Sequence, residues 1–136
     1  MEQPPNSQTS LPFKGKVAIV TGGSRGIGRA VVADLSLKGA CVYFTYRGRE
    51  EDAESIALQT GATKVMCNQR DWATIESTVE RVIRDRGTID ILVNNAGVTD
   101  DMLVTMLPEE SWRTVLDTNL DGAYRWTKAV SRPMIN

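Results

Sequence analysis

The stretch KVAIVTGGSRGIG, Lys16 to Gly28, decides the fold of this chain. It opens with the apolar and β-branched run KVAIV, Lys16 to Val20, which is typical of a strand covered on both faces, as in a parallel sheet. A glycine-rich turn follows, and then a helical stretch in which Ile27, Val31 and Leu35 recur every four residues. The pattern predicts a strand, a turn and a helix that begin an α/β sheet.

Strand and helix patterns keep alternating after this unit. Further strands are predicted at Cys41–Tyr46, Lys64–Asn68 and Ile89–Val93. Helices are predicted at Arg49–Thr60, after a cap at Asp71, and from Pro108 nearly to Asn136. Crossovers of this length imply parallel strands, so we expect an α/β fold with a doubly wound parallel sheet of the Rossmann type.

Bulk composition limits the kinds of protein this can be. The 136 residues suit one domain, and the 41% hydrophobic and 24% charged fractions are ordinary for a globular protein. A formal net charge of −1 gives no global field that favours nucleic acid or an anionic membrane. No apolar run in the sequence is long enough to span a bilayer. We therefore expect neither a nucleic-acid partner nor a membrane partner.

The first thirteen residues, MEQPPNSQTSLPF, are polar and contain proline. They lack the basic start and apolar segment of a secretory signal, so we expect a flexible arm at 1–13 and the domain at 14–136. Cys41 and Cys67 form no CxxC pair and the chain has no histidine, which argues against a metal site or a histidine base. A reduced, cytoplasmic protein with two buried strand cysteines is the simplest interpretation.

The glycines of the turn, Gly22, Gly26 and Gly28, indicate how it could bind an anion. Their spacing, G-x-x-x-G-x-G, differs from the G-x-G-x-x-G dinucleotide fingerprint but works by a similar mechanism. Gly22 permits the sharp turn, Gly26 leaves room for a pyrophosphate, and Gly28 lets the helix pack against the strand. Backbone N–H groups at the start of the helix then face the anion. A tight turn without a ligand is the alternative.

Three motifs, TGGSRGIG, NNAG at Asn94–Gly97 and NL at Asn119–Leu120, together resemble the short-chain dehydrogenase/reductase family in order and spacing. The text that begins DILVNNAGVTDDMLVTM further resembles the branch that reduces 3-oxoacyl thioesters in fatty acid synthesis. The resemblance covers Lys14 to the C-terminus. It implies strand order 3-2-1-4, an NADP-dependent oxidoreductase, an acyl substrate that is a small molecule or is bound to a carrier protein, and a homo-oligomer.

The resemblance also assigns cofactor contacts residue by residue. In the glycine turn they are Gly22, Ser24, Arg25, Gly26, Ile27 and Gly28. After the third strand, Asn68 matches the adenine contact and Gln69 lies beside it. The loop under the nicotinamide-side ribose is matched by Asn94, Asn95, Ala96 and Gly97. For Asn68 and Asn94, local bracing of the loop by side-chain to backbone hydrogen bonds is the alternative.

Two arginines bear on the choice of dinucleotide. Arg47 ends the second strand, where an NAD enzyme would carry an acidic residue against the ribose 2′-hydroxyl. Arg25 lies in the glycine turn itself, and the two cations can grip a 2′-phosphate. Glu50, Glu51 and Asp52 stand near the spacing typical of an NAD enzyme, but they also suit the start of the next helix. We therefore expect NADP(H) as the cofactor.

The sequence YRWTK, Tyr124 to Lys128, resembles a catalytic proton-transfer pair. A tyrosine and a lysine four residues apart lie on the same face of a helix. The family uses such a pair for proton transfer, together with a serine upstream of the tyrosine. Ser111 stands upstream of Tyr124 at about the place of that serine. However, Ser111 follows LPEE, a helix start, and Tyr124 lies only five residues after Asn119, which matches the family's catalytic asparagine. We therefore expect Tyr124–Lys128 to be a helix face, and Asn119 to be a catalytic residue without its serine, tyrosine and lysine partners.

The resemblance thus predicts the first half of the fold, truncated before the catalytic segment. We expect no reductase activity from this chain alone. A non-catalytic nucleotide-binding or assembly module and a degenerate remnant without a ligand are the alternatives.

Two surface features are also predicted. The fourth strand becomes an open edge, and the last helical region exposes apolar surface with Trp112, Tyr124 and Trp126. A basic stripe is formed by Arg125, Lys128 and Arg132. The stripe is either a solvated helix face or a docking surface for an acidic carrier protein.

Overall fold

The computed structural model describes residues 11–136, so most of the predicted N-terminal arm lies outside the described residues. The strands are β1 (Val17–Val20), β2 (Cys41–Tyr46), β3 (Thr63–Met66) and β4 (Ile91–Val93). The helices are α1 (Gly26–Leu37), α2 (Glu50–Thr60), α3 (Trp72–Arg86), α4 (Glu109–Leu116) and α5 (Gly122–Ile135). A 3₁₀ turn at Val104–Met106 and a π-helical segment at Asp117–Asp121 complete the order.

All four strands are parallel and lie in the order β3-β2-β1-β4, which confirms the predicted doubly wound fold and its strand order. β1 is central, with Ile19 aligned with Tyr43 of β2 and with Leu92 of β4. A strand with neighbours on both edges and helices on both faces meets no water. This is why the run KVAIV has no polar alternation.

Side chains of β1 alternate between two apolar layers, because successive residues of a strand point to opposite faces. Val17 and Ile19 join a layer with side chains of α3 and α5, among them Trp126. Ala18 and Val20 join the opposite layer, with side chains of α1 and α2. Each buried large aliphatic side chain contributes roughly 1.5–3 kcal/mol relative to an exposed one. The two layers fix the sheet between its helices and leave the strand ends free for a site.

The four-residue recurrence correctly predicts helix α1, but its members differ in burial. Val32 and Leu35 are buried and Val31 is partly buried, but Ile27 is 78% exposed. Ile27 stands in the first turn of α1, where the helix leaves the glycine turn and has not yet reached the apolar layer.

Element boundaries differ from the predicted ones near β3 and β4. β3 ends at Met66, so Cys67 and Asn68 lie in the turn after the strand. β4 begins two residues later than predicted, and the buried Ile89 packs into the α3 and α5 layer ahead of the strand. Both cysteines are free thiols, but Cys41 is only partly buried, since it opens β2 at its amino end.

The first described residues pack against the rest of the domain and hydrogen-bond to it. Phe13 is partly buried against the α1 and α2 layer, and its backbone N–H donates to the carbonyl of Lys38 at 3.0 Å. Gly39 has a left-handed φ of 98°, and a Cβ there would lie 3.1 Å from the Cα of Lys14. The chain end before β1 therefore closes over the turn that follows α1.

An apolar stripe runs along the outer face of the last helical region. Its members, Trp112, Leu116, Leu120 and Tyr124, stand four residues apart, and each is at least 37% exposed. Trp126, predicted among the exposed aromatic residues, is instead fully buried, because it faces the sheet. Within the described sheet β4 pairs only with β1, so its other edge is open, as predicted. We name the four exposed side chains the outer stripe.

We expect the chain to self-associate, because exposed apolar patches and open strand edges favour association. Trp112→Glu should raise the dissociation constant by about tenfold or more, since buried aromatic anchors dominate such contacts. Sedimentation velocity over a concentration series measures this. The matched control is Leu58→Glu, which changes another exposed apolar side chain, on α2 and away from the last helical region. It should leave the dissociation constant unchanged. A wild-type chain that stays monomeric at every concentration contradicts the expectation.

Candidate functional site

A cleft lies where the carboxyl ends of the strands meet, the usual place for a ligand in an open α/β sheet. Its volume is about 720 Å³. The walls are the glycine turn after β1, the turns after β2 and β3, the loop after β4, and Thr118 of the π-helical segment. Nine of the thirteen residues predicted to contact a cofactor line it, and Ile27, Gly28, Asn68 and Asn94 do not. The fold therefore gathers residues that lie far apart in sequence.

Close contacts explain the glycines of the turn. Gly22 and Gly26 have left-handed φ angles of 67° and 59°, which glycine adopts at little cost. A Cβ at Gly22 would lie 2.8 Å from the Cα of Ala96, and one at Gly28 would lie 2.1 Å from the carbonyl oxygen of Gly22. Around Gly26 there is open space, so the cleft reaches its backbone. Gly28 thus lets α1 approach the glycine turn itself.

Thr21, the residue after β1, joins the turn to the loop after β4. Its side chain is fully buried, and its Oγ1 accepts from the backbone N–H groups of Asn95 (3.0 Å) and Ala96 (2.9 Å). In return the Nδ2 of Asn95 donates to the carbonyls of Thr21 (3.1 Å) and Gly22 (2.9 Å). Sequence reasoning did not single out Thr21, although a polar residue directly after a buried strand was a usable signal.

Thr45, in β2, holds the other side of the turn. Its Oγ1 accepts from the N–H of Gly22 at 3.2 Å, and its carbonyl accepts from the N–H of Gly23 at 3.0 Å. A Cβ at Gly23 would lie 2.6 Å from the Cβ of Phe44, so this position has no room for a side chain. The glycine turn is therefore bonded on both sides, which gives the cleft a rigid floor.

Three exposed arginines, Arg25, Arg47 and Arg49, border the cleft. Arg49 adopts a left-handed φ of 55° at the N-cap position of α2. None of the residues that line the cleft is acidic. The cleft therefore presents positive charge to an anionic ligand.

Two of the acidic residues after β2, Glu50 and Asp52, have partners outside the cleft opening. Glu50 accepts from the hydroxyl of Tyr46 at 2.5 Å and pairs with Lys64, and Asp52 lies 4.0 Å from Arg49. The hydrogen bond to Glu50, together with burial, raises the pKa of the Tyr46 hydroxyl. Glu50 therefore supports the packing of α2 on β2 and β3 instead of facing the cleft.

Asn68 and Gln69 differ in position although they are adjacent. The Oδ1 of Asn68 accepts from the backbone N–H of Arg70 at 3.0 Å, which is the local bracing considered as the alternative role. Gln69 lines the cleft and is 8% exposed. Its Oε1 accepts from the indole N–H of Trp126, and its carbonyl accepts from Arg125 at 2.9 Å. The turn after β3 is thus anchored to α5.

The loop after β4 is held by the last helical region. Asn94 donates to Thr127 at 3.2 Å and is outside the cleft lining, whereas Asn95 and Gly97 line it. Asn119, in the π-helical segment, accepts from the N–H of Val98 at 2.8 Å and donates to the same residue's carbonyl at 2.9 Å. π-helical segments occur often at functional sites. Asn119 therefore sits against the cleft loop as a backbone clamp.

Tyr124 and Lys128 lie outside the cleft lining. The ring of Tyr124 packs edge-on against Trp72, with centroids 6.4 Å apart. The Nζ of Lys128 lies 5.9 Å from the ring centroids of both Trp72 and Tyr124, within cation–π range. This placement fits the interpretation of Tyr124 to Lys128 as a helix face.

The basic stripe on α5 is interrupted at its first member. Arg125 donates to Asp117 at 2.5 Å, and Asp117 also accepts from Arg70 at 2.7 Å. These two hydrogen bonds are the main reason that the pKa of Asp117 is held below its ordinary value. Since the charge of Arg125 is balanced inside the fold, a docking surface would have to rely on Lys128 and Arg132.

Two classes of site have no support in residues 11–136. None of the helices there is long and apolar enough to cross a membrane. No group of three or more His, Cys, Asp or Glu side chains there could hold a metal ion.

A parallel sheet with a glycine turn and a cationic cleft at its carboxyl edge is typical of nucleotide-binding proteins of the doubly wound class. The family model described as short chain dehydrogenase matches residues 16–136, so the chain belongs to the short-chain dehydrogenase family. A solved Sinorhizobium meliloti dehydrogenase/reductase superposes with a TM-score of 0.88 at 31% identity, over 92% of this chain and 52% of its own. A Serratia marcescens short-chain dehydrogenase/reductase double mutant gives a TM-score of 0.85 at 34% identity, over 90% and 52%.

Curated relatives are similar over the same region. The 3-oxoacyl-[acyl-carrier-protein] reductase FabG of Escherichia coli is 44% identical over 127 residues, which is 92% of this chain and 52% of the relative. FabG of Staphylococcus aureus is 35% identical over 125 residues, 88% of this chain and 51% of the relative. The chain therefore spans about half the length of the curated relatives that it matches.

Thr21→Val should lower the free energy of unfolding by about 1–3 kcal/mol, because two buried N–H groups lose their acceptor. Urea unfolding followed by far-UV circular dichroism measures the loss. Thr21→Ser keeps the oxygen and should retain most of the stability. A Thr21→Val variant as stable as the wild type would show that these hydrogen bonds do not contribute.

Asp117→Asn should lower the free energy of unfolding near pH 6 by about 1–2 kcal/mol. This is the contribution of a charge-assisted hydrogen bond, reduced because the side chains are partly exposed to solvent. The folded pKa of Asp117 is lowered, so its contribution is present above the unfolded value of about 3.9 and is lost as pH falls through the folded value. The difference between variant and wild type should therefore shrink below about pH 4. Urea unfolding from pH 3 to 7 tests this, with Asp34→Asn, in an exposed pair with Lys38, as control. A difference that does not vary with pH contradicts it.

Proposed function

We propose that this chain is the NADP(H)-binding half of an oxidoreductase that reduces 3-oxoacyl thioesters. The observation that carries the proposal is the glycine turn, which opens directly onto a cleft bordered by Arg25, Arg47 and Arg49. The names of the relatives support the substrate class, since they are reductases of 3-oxoacyl groups on an acyl carrier protein.

The start of α1 fits the phosphates of a dinucleotide. Arg25 occupies the N-cap position but makes no side-chain cap hydrogen bond, so the first N–H groups of α1 have no capping acceptor. Gly26, the next residue, is exposed and has no atom near the place a Cβ would occupy. An anion can approach these groups closely and gain from the helix dipole. Gly22, Ser24, Arg25 and Gly26 would hold the pyrophosphate.

The charge around the cleft favours NADP over NAD. Arg47 lies at the end of β2, where the ribose 2′ position is bound in doubly wound folds. Glu50 is bonded to Tyr46 and Lys64, so no carboxylate is offered to a 2′-hydroxyl there. A 2′-phosphate would instead gain charge-assisted hydrogen bonds from arginine. The bound cofactor would supply the hydride for carbonyl reduction.

Proton transfer is the step that the described residues do not support. Tyr46 is a cleft residue, but its hydroxyl donates to Glu50 and its pKa is raised, which opposes the release of its proton. Tyr124 and Lys128 lie outside the cleft lining. Asn119 is the one matched catalytic residue, and it clamps the loop after β4. We propose that the chain binds the cofactor but does not reduce a substrate by itself.

Arg47→Asp should weaken NADPH binding by about 10–100-fold and NADH binding much less, because only NADPH carries the 2′-phosphate. Titration of NADPH fluorescence measures both dissociation constants. Arg84→Asp, at an exposed arginine on α3 outside the cleft, is the matched control and should leave the affinities unchanged.

Two outcomes would overturn parts of the proposal. If the wild-type chain does not bind NADPH, or binds NADH equally well, the assignment of NADP(H) as the cofactor is contradicted. NADPH oxidation with an acetoacetyl thioester at ordinary enzymatic rates, by the purified chain, removes the statement that it is inactive alone.

A further inference from the structure

The turn after β3 is held from behind by a buried tryptophan. Gln69 lines the cleft, yet its Oε1 accepts a hydrogen bond from the indole N–H of Trp126 at 2.5 Å. Trp126 itself is fully buried and is not among the residues that line the cleft. The carbonyl of Gln69 is bonded to Arg125, which pairs with Asp117. Both the backbone and the side chain of Gln69 are therefore fixed by α5 and the segment before it.

This bond decides which way the Gln69 amide faces. An indole N–H only donates, so only the oxygen of the amide can face Trp126. The Nε2 must then occupy the other branch, where a Cβ on Gly122 would lie 2.6 Å from it. Within residues 11–136 the Nε2 donates to no protein acceptor, and the residue is only 8% exposed. The Nε2 is therefore a donor that remains free to pair with a ligand or with water.

The strand order indicates which part of a ligand lies beside Gln69. The sheet runs β3-β2-β1, with Gln69 after β3, Arg47 after β2 and the glycine turn after β1. A nucleotide with its pyrophosphate on the glycine turn and its ribose phosphate at Arg47 extends its base toward β3. Purine ring nitrogens accept hydrogen bonds, and a free amide donor suits them.

From these observations we propose that Trp126 is a positioning residue for nucleotide recognition. Its indole N–H holds the Oε1 of Gln69, which presents Nε2 as a donor to the base of the bound nucleotide. The inference rests on the proposed NADP(H) site and adds a determinant located behind the cleft wall. Trp126 acts only through Gln69 and touches neither cofactor nor substrate.

The test is a double-mutant cycle on NADPH affinity. Gln69→Leu removes the donor and should weaken binding about tenfold, the worth of one net hydrogen bond. Trp126→Phe keeps an aromatic ring but frees the amide to rotate, and should weaken binding by several-fold. In the Gln69→Leu background, Trp126→Phe should have no further effect on affinity. Additive losses would overturn the inference, because a merely structural tryptophan would act independently of Gln69.

A second pair of measurements guards against misfolding and locates the contact. Gly122→Ala places a methyl group against Nε2 without altering Trp126, and it should reproduce the loss of affinity if Trp126→Phe fails to fold. Binding of 2′,5′-ADP should weaken in parallel with NADPH, whereas binding of reduced nicotinamide mononucleotide should be unchanged. Unchanged NADPH affinity in Gln69→Leu or in Gly122→Ala overturns the inference alone. A wild-type chain that binds no NADPH overturns the proposed function, and the inference with it.

Discussion

The structure depends on the close approach of the glycine turn to the loop after β4. The two segments lie in contact at Gly22 and Ala96, where an added Cβ would come within 2.8 Å of the backbone. Thr21 and Asn95 exchange side-chain to backbone hydrogen bonds across this contact. Buried backbone groups must find partners, and here neither segment can satisfy its own groups alone. The same contact shapes the cleft floor and aligns the ends of β1 and β4.

A second level of support comes from the last helical region, which bonds to two of the segments around the cleft, the turn after β3 and the loop after β4. Trp126 holds the turn after β3, Thr127 holds Asn94, and Asn119 clamps Val98. These parts of the cleft wall are therefore set by residues 21 to 57 positions away in sequence, a separation at which loop closure has to be offset by several contacts. One of these residues, Asn119, lies in the π-helical segment, and such segments occur often at functional sites.

Local patterns were sufficient to predict the parallel sheet and the glycine turn, because the burial of a strand and the spacing of glycines depend on neighbouring residues. The strand order was predicted from the family resemblance instead. Thr21 and Thr45 were missed for the opposite reason: their hydroxyl groups serve segments that only the fold brings near. Ile27 shows the limit of periodicity, since a residue in register with a buried stripe can still stand outside the layer in the first helical turn. Trp126 shows the converse, because it is buried although Tyr124, Thr127 and Lys128 around it are exposed.

Binding and proton transfer are physically separable in this fold. The anion-binding groups come from backbone N–H donors and arginines at the ends of β1 and β2, which the glycine turn and Thr45 fix. A proton donor needs a hydroxyl whose pKa is lowered by a nearby cation. Tyr46, the tyrosine that lines the cleft, has the opposite environment, because its partner is the carboxylate of Glu50. A cleft suited to hold a dinucleotide therefore does not imply the chemistry that uses it.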